Sequence, residues 1–293
     1  MENTRTKTTR NSLILLLTAA IWGMAFVSQS KGMDYMHPFT FNGVRSLIGA
    51  ASILVYILIS RKIAGDKAAP LDWKLNVKAG LLCGIFLTIA STLQQFGIKY
   101  TSVGKAGFIT TLYIIFVPMF GIFLKKKVAP VVWAAAVMAA VGMYLLCMTE
   151  SLRLGAGDIM VFLCAIAFAI QIMTVDHYAA RIDGAVVSCI QFTVCGVVCC
   201  IGALIWGQPT LGQLQEGLGA LLYAGVLSCG VGYTLQIVGQ KGLNPTVAAL
   251  IMSLESVISA IAGWLVLGQH LSGREIAGCV VMFAAIILAQ LPS

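Results

Sequence analysis

Ten apolar runs, each close to a bilayer's thickness, follow one another along the chain with only short connections between them. They fall near residues 12–30, 39–60, 76–98, 103–124, 130–149, 157–178, 184–207, 217–238, 245–267 and 273–291. A spanning helix needs about 20 apolar residues. The sequence therefore predicts an all-α polytopic membrane protein of ten transmembrane helices, with the lipid bilayer as its solvent and no soluble domain. Only 10% of the 293 residues are charged and 59% are hydrophobic, against about 25% charged in soluble domains. MENTRTKTTR before the first run resembles the head of a signal peptide. The run that follows is longer than a usual signal core and lacks an A-x-A-like cleavage site, so it reads as the first spanning helix.

The net charge of +8 is not a nucleic-acid signal, because the basic residues sit in short loops. With the N-terminus inside, thirteen of the nineteen Lys and Arg fall in inner segments and five in outer ones. Lys125, Lys126 and Lys127 make one inner cluster. The positive-inside rule then puts both termini in the cytoplasm. The bias comes from the first half; after residue 150 the two sides are even.

The chain also repeats itself. At an offset of 142 residues, Thr92-Leu93-Gln94 meets Thr234-Leu235-Gln236, Lys99 meets Lys241, Leu112 meets Leu254 and Gly121 meets Gly263. A weaker echo pairs Ala19 with Ala165 and Trp22 with Phe168. Two five-helix halves are expected, residues 1–150 and 151–293. An odd number of spans per half makes the repeats inverted, a plan in which substrate binds near the midplane between them.

Polar residues mark where that site would be. Glu255 lies at the middle of the ninth run, where a charge costs roughly 2.5–3.5 kcal/mol on insertion scales and is a functional-site candidate by default. Met252, Glu255, Ser256, Ser259 and Gly263 share one helix face. Thr18, Trp22, Ala25 and Gln29 form a stripe on helix 1; Gly84, Thr88, Ser91 and Gln95 on helix 3; Ala167, Gln171, Thr174 and Tyr178 on helix 6; Gly225, Ser228, Gly232 and Gln236 on helix 8. Single Gln or Thr residues also serve as glue between helices, but similar stripes on four helices favour a wet cavity. Arg45 in helix 2 has three readings: a partner for Glu255, an anion attractor at the cavity mouth, or a snorkelling side chain. Tyr113 aligns with Glu255 in the repeat, and Pro118 is expected to kink helix 4.

Other chemistries find little support. Nine cysteines all lie in apolar runs and read as small hydrophobes, without the spacing of a zinc site, so neither a metal nor a cofactor is expected. Gly155-Ala156-Gly157-Asp158 matches the G-x-G-D string of intramembrane aspartyl proteases. No second aspartate lies in the preceding span to share a proton, and Asp158 sits where a carboxylate caps a helix. His37, His177 and His270 lie at span ends. No phosphate-binding loop of the G-x-x-x-x-G-K-[ST] kind is present. Gly80 and Gly84 form a GxxxG that packs helices either within or between chains.

LESVISAIAGWLVLGQ at 254–269 resembles the penultimate-helix signature of EamA-type transporters of the drug/metabolite transporter superfamily. Leu254, Glu255, Gly263, Trp264, Leu267 and Gly268 keep the pattern. Ser256 stands where proline is usual and Gln269 where glutamate is usual, which questions a kink at Ser256. Ile21-Trp22-Gly23, Arg45 and Gly157-Asp158 also fit. The resemblance implies a ten-helix carrier, not an enzyme, moving amino acids, related metabolites or drugs across the bacterial inner membrane. Transport would be outward and often coupled to protons or exchange. Glu255 would be the proton or substrate site, with Trp22, Gln95, Gln171 and Gln236 around it and Tyr113, Ser259 and Arg45 nearby. A channel or passive facilitator is the alternative.

Overall fold

The computed structural model describes residues 4–65, 70–100, 103–124, 128–147, 155–267 and 272–289. The expected boundary near residue 150, the Lys125–Lys127 cluster, His270, and Gly268 and Gln269 of the motif lie outside the described residues.

The first three crossings are single helices: α1 (Thr4–Tyr35), α2 (Pro38–Ala64) and α3 (Trp73–Tyr100). The fourth is built from α4 (Val103–Thr111) and α5 (Tyr113–Phe123), the fifth is α6 (Pro130–Cys147) and the sixth is α7 (Ala156–Tyr178). The seventh, α8 (Gly184–Gly202), ends in a π-helical turn at Ala203–Gly207. A short helix that buries no residue, α9 (Leu211–Glu216), precedes the eighth crossing. That crossing joins α10 (Leu218–Leu222), a π-helical stretch at Tyr223–Gly232 and α11 (Tyr233–Gln240). The ninth is α12 (Pro245–Met252) with α13 (Glu255–Leu267), and the tenth is α14 (Gly273–Ala289). Seven of these crossings are long and apolar enough to span a membrane, and three shorter apolar helices complete the ten.

Helix starts follow local chemistry. Pro38 and Pro245 occupy first helical positions, behind His37 and Asn244 as caps, where a missing N–H costs nothing. Asp183 accepts from the N–H groups of Ala185 and Val186. Asp158 accepts from the N–H of Gly155 at 2.9 Å, the capping role its position implies. α1 begins at Thr4, not near residue 12 as the apolar run suggested. Apolar length marks the membrane portion of a helix, not its end, and the polar first turns of α1 continue beyond that portion.

The interior mixes apolar and polar side chains, and the outside is largely apolar. Gln95 and Gln171 are fully buried, whereas Phe123 is 81% and Leu204 is 75% exposed. With lipid as solvent there is no drive to hide leucine, so helices associate through close packing of small residues and interhelical hydrogen bonds. The principal packings come in exchanged pairs. α3 lies against α7 while the eighth crossing lies against α1; α2 faces α8, and α6 faces α14. The contacts exchange in detail as well. A Cβ on Gly97 of α3 would meet Val161 of α7 at 2.3 Å, and one on Gly239 of α11 would meet Leu15 of α1 at 2.8 Å. The Gly80–Gly84 pair of α3 receives Ile190, Gln191 and Val194 of α8, so this GxxxG packs within the chain.

Candidate functional site

The ninth crossing breaks at its middle. α12 stops at Met252 and α13 starts at Glu255. The break is a tightening of the helix, not an unwinding. The Leu254 N–H bonds to the Ile251 carbonyl at 3.2 Å and the Ser256 N–H to the Ser253 carbonyl at 3.1 Å, both three residues back. The Ser253 hydroxyl donates to the Leu250 carbonyl at 2.7 Å, which supports the turn. The break is present although Ser256 replaces the usual proline.

The fourth crossing breaks at the repeat-equivalent place. The Leu112 N–H bonds to the Ile109 carbonyl and the Ile115 N–H to the Leu112 carbonyl, again three residues back. Pro118 lies further on, inside α5, without ending it. The two breaks face each other. The Tyr113 hydroxyl donates to Glu255 Oε1 at 3.1 Å across a separation of 142 residues, the repeat offset itself. Beside it, the Ser256 hydroxyl donates to Thr111 Oγ1 at 3.2 Å. Two pseudo-symmetric residues touch only near the axis relating them, so Glu255 and Tyr113 lie at the centre of the bundle.

Close approach of α1 makes this possible. A Cβ on Gly23 would meet the Glu255 carbonyl oxygen and Ile258 Cβ at 2.7 Å each. Glu255 itself is only 5% exposed. It opens onto a narrow cavity of about 40 Å³, room for a few waters at most.

The predicted residues divide by face. Trp22, Arg45, Tyr113, Gln171, Gln236 and Glu255 line the cavity together. Gln95 and Ser259 do not. Gln95 is turned to α1, where its amide donates to the Gln29 carbonyl at 3.3 Å. The Ser259 hydroxyl is spent on the Ser256 carbonyl at 2.9 Å. The α3 residues on the cavity are Leu87, Ser91 and Gln94. The signal for Gln94 lay in the repeat, which aligns it with Gln236. The same offset carries Leu87 to Cys229 and Ser91 to Tyr233, which also line the cavity. Phe26, Phe192 and Tyr233 had no such contrast against an apolar span.

Arg45 is among the residues that line the cavity. It is 6% exposed, its guanidinium lies 5.3 Å from the Phe41 ring centroid, and it forms no ion pair with Glu255 among the described residues. Aromatic walls close the space: Trp22 and Tyr233 have ring centroids 4.5 Å apart, and Phe192 stands edge-on to Tyr233 at 5.0 Å. The amide of Gln236 donates to Gln171 Oε1 at 3.2 Å, and that of Gln94 to Thr110 Oγ1 at 3.3 Å. Several buried polar atoms have no protein partner: the donors Trp22 Nε1, Arg45 Nε and Gln171 Nε2, and the acceptors Gln29 Oε1 and Gln236 Oε1. Buried polar groups normally find partners, so these are free to engage a polar guest. Among the described residues no three His, Cys, Asp or Glu side chains gather as a metal site.

A bundle of membrane-length helices around a central cavity, with a carboxylate and a guanidinium among its lining, is the setting of a membrane transporter of small molecules. The chain belongs to the EamA-like transporter family, which matches residues 10–148 and again residues 155–291. It is 26% identical to an uncharacterized transporter of Archaeoglobus fulgidus, covering 94% of this chain and 84% of that one. It is also 26% identical to the uncharacterized transporter YwfM of Bacillus subtilis, covering 94% and 92% of the two chains. A solved crystal structure superposes with a TM-score of 0.79 over 96% of both chains at 16% identity, a likeness of fold.

Proposed function

We propose that this protein is a secondary active transporter that exports amino acids, related metabolites or drugs by alternating access, with Glu255 as the proton- or substrate-binding group. The observation that carries the reading is the Tyr113–Glu255 contact, at the meeting point of two broken helices and on a narrow central cavity. A carrier must present its site to each side in turn and so passes through closed forms, and a cavity of about 40 Å³ favours that over an open pore. The halves 1–150 and 151–293 would rock about Glu255 and Tyr113. Arg45, Trp22, Gln94, Gln171 and Gln236 would grip the cargo through charge, aromatic faces and amide groups. The Lys and Arg distribution supports cytoplasmic termini in a bacterial inner membrane.

Counterflow in proteoliposomes tests this, using a panel of radiolabelled amino acids and cationic drugs with and without a pH gradient. Saturable counterflow of one class is the expected result. High, non-saturable flux without counterflow would replace the carrier by a facilitator.

A further inference from the structure

A second site lies away from the central cavity, at the end of the bundle where the first turns of α1 meet Lys241. There the Asn11 amide donates to the Lys241 carbonyl at 2.7 Å. A cavity of about 620 Å³ opens at this end between α2, α3, α8 and α11. Three cations line it: Arg61 near the end of α2, Arg181 after α7 and Lys241 after α11. Its two carboxylates are committed to helix starts. Asp72 accepts from the Leu75 N–H at 3.0 Å, and Asp183 accepts from the N–H groups of Ala185 and Val186. The positive ends of α3 and α8 offset those two charges, so the space remains favourable to an anion.

This polar cavity runs directly into an apolar one. A groove of about 510 Å³ lies between α2 and the eighth crossing, walled by Ile53, Val226, Val231 and Leu235. Tyr56, Thr234 and Val238 line both spaces. The groove follows from the packing. α2 and the π-helical stretch touch closely at Gly49, whose Cβ would meet Cys229 at 2.6 Å, and the open groove begins beyond that contact. Its wall faces the hydrocarbon, since Tyr56 is 60% exposed.

We propose that this composite cleft binds one anionic phospholipid from the adjoining leaflet. The phosphate would sit among Arg61, Arg181 and Lys241, and an acyl chain would lie along the groove. Charge selects the occupant, because a basic pocket between spanning helices fits an anionic headgroup and the groove fits only a chain. A soluble anion would leave the groove empty, and a zwitterionic lipid would leave the three cations less well matched. The site is independent of the transported cargo.

Native mass spectrometry of the full chain tests the proposal, after exchange into vesicles of dioleoyl-phosphatidylglycerol or of dioleoyl-phosphatidylcholine. One phosphatidylglycerol is expected to stay bound, roughly 100-fold more tightly than phosphatidylcholine, from the attraction of three basic residues for an anionic lipid. The triple variant Arg61→Gln, Arg181→Gln, Lys241→Gln should lose that preference, and Arg61→Lys should keep it. Thr234→Trp, which fills the neck between the two spaces, should lose the bound lipid with all charges intact. Equal retention of both lipids by the wild type, or an unchanged preference in the triple variant, would overturn the proposal. So would equal protection of the protein by inorganic phosphate alone.

Discussion

At Leu112 and at Leu254 two helices from opposite halves tighten in the same way and meet at the centre of the molecule. One presents a phenol, the other a carboxylate. The same contrast holds around the cavity: Ser91 stands opposite Tyr233 in the repeat and Leu87 opposite Cys229. Of the lining pairs that share the 142-residue offset, Phe26 with Phe168, Gln29 with Gln171 and Gln94 with Gln236 keep one chemistry. Packing positions are thus repeated, while side-chain chemistry is repeated only in part. Among the described residues that line the cavity, Glu255 is the one carboxylate and Arg45 the one guanidinium.

The sharpest break in the comparison is Arg45, whose guanidinium is unique to the first half's side of the cavity. Arg45→Leu should raise the KM for counterflow roughly 10- to 100-fold, since a hydrogen bond to a charged group is worth about 1.5–3 kcal/mol. An unchanged KM would remove it from the site. Where the halves agree, their variants should agree. Gln94→Leu and Gln236→Leu should each raise KM about fivefold, for about 1 kcal/mol per lost hydrogen bond. Gln95→Leu, one residue away but turned to α1, should leave KM within about twofold.

Packing variants should be blind to chemistry. Gly97→Ala and Gly239→Ala press on Val161 and Leu15 in exchanged contacts. Each should cost about 1–3 kcal/mol of stability and lower the melting temperature in detergent without altering the preference among cargoes. A cost at only one of them would mean that the two packings are not equivalent. The smallest effect belongs to His37, which caps α2 by accepting from the Phe39 N–H at 3.4 Å. Burial, and then the charge of Lys99, lower its pKa below the usual 6.5. The folded protein therefore favours neutral His37, and stability should decline by a few tenths of a kcal/mol, water screening most of the effect at this partly exposed site, as pH falls through 6.5. A His37→Asn variant should flatten that decline in a melting series from pH 8 to pH 5.

The ten crossings were legible because membrane length and apolarity are local properties. The repeat was legible because Thr92–Gln94 and Thr234–Gln236 align without structure. Helix rotation was not. The i, i+4 step from Ser91 led to Gln95, while the lining actually follows Leu87, Ser91 and Gln94. Rotation is set by contacts far away in sequence, such as the Asn42 amide on the Ser91 carbonyl at 2.9 Å. Both helix breaks were also hidden. Neither Leu112 nor Leu254 is a helix breaker. Tyr233 and Phe192 were silent for a further reason: an aromatic residue in an apolar span looks the same whether it faces lipid or cargo.

The most direct measurement of Glu255's role compares wild type with Glu255→Gln in proteoliposomes, following both counterflow and gradient-driven transport between pH 5.5 and 8.5. The variant should keep exchange of cargo but lose its response to the pH gradient, because an amide still accepts from Tyr113 and cannot release a proton. Gradient-driven transport by Glu255→Gln equal to that of the wild type at every pH would contradict the assignment of Glu255 as the coupling group.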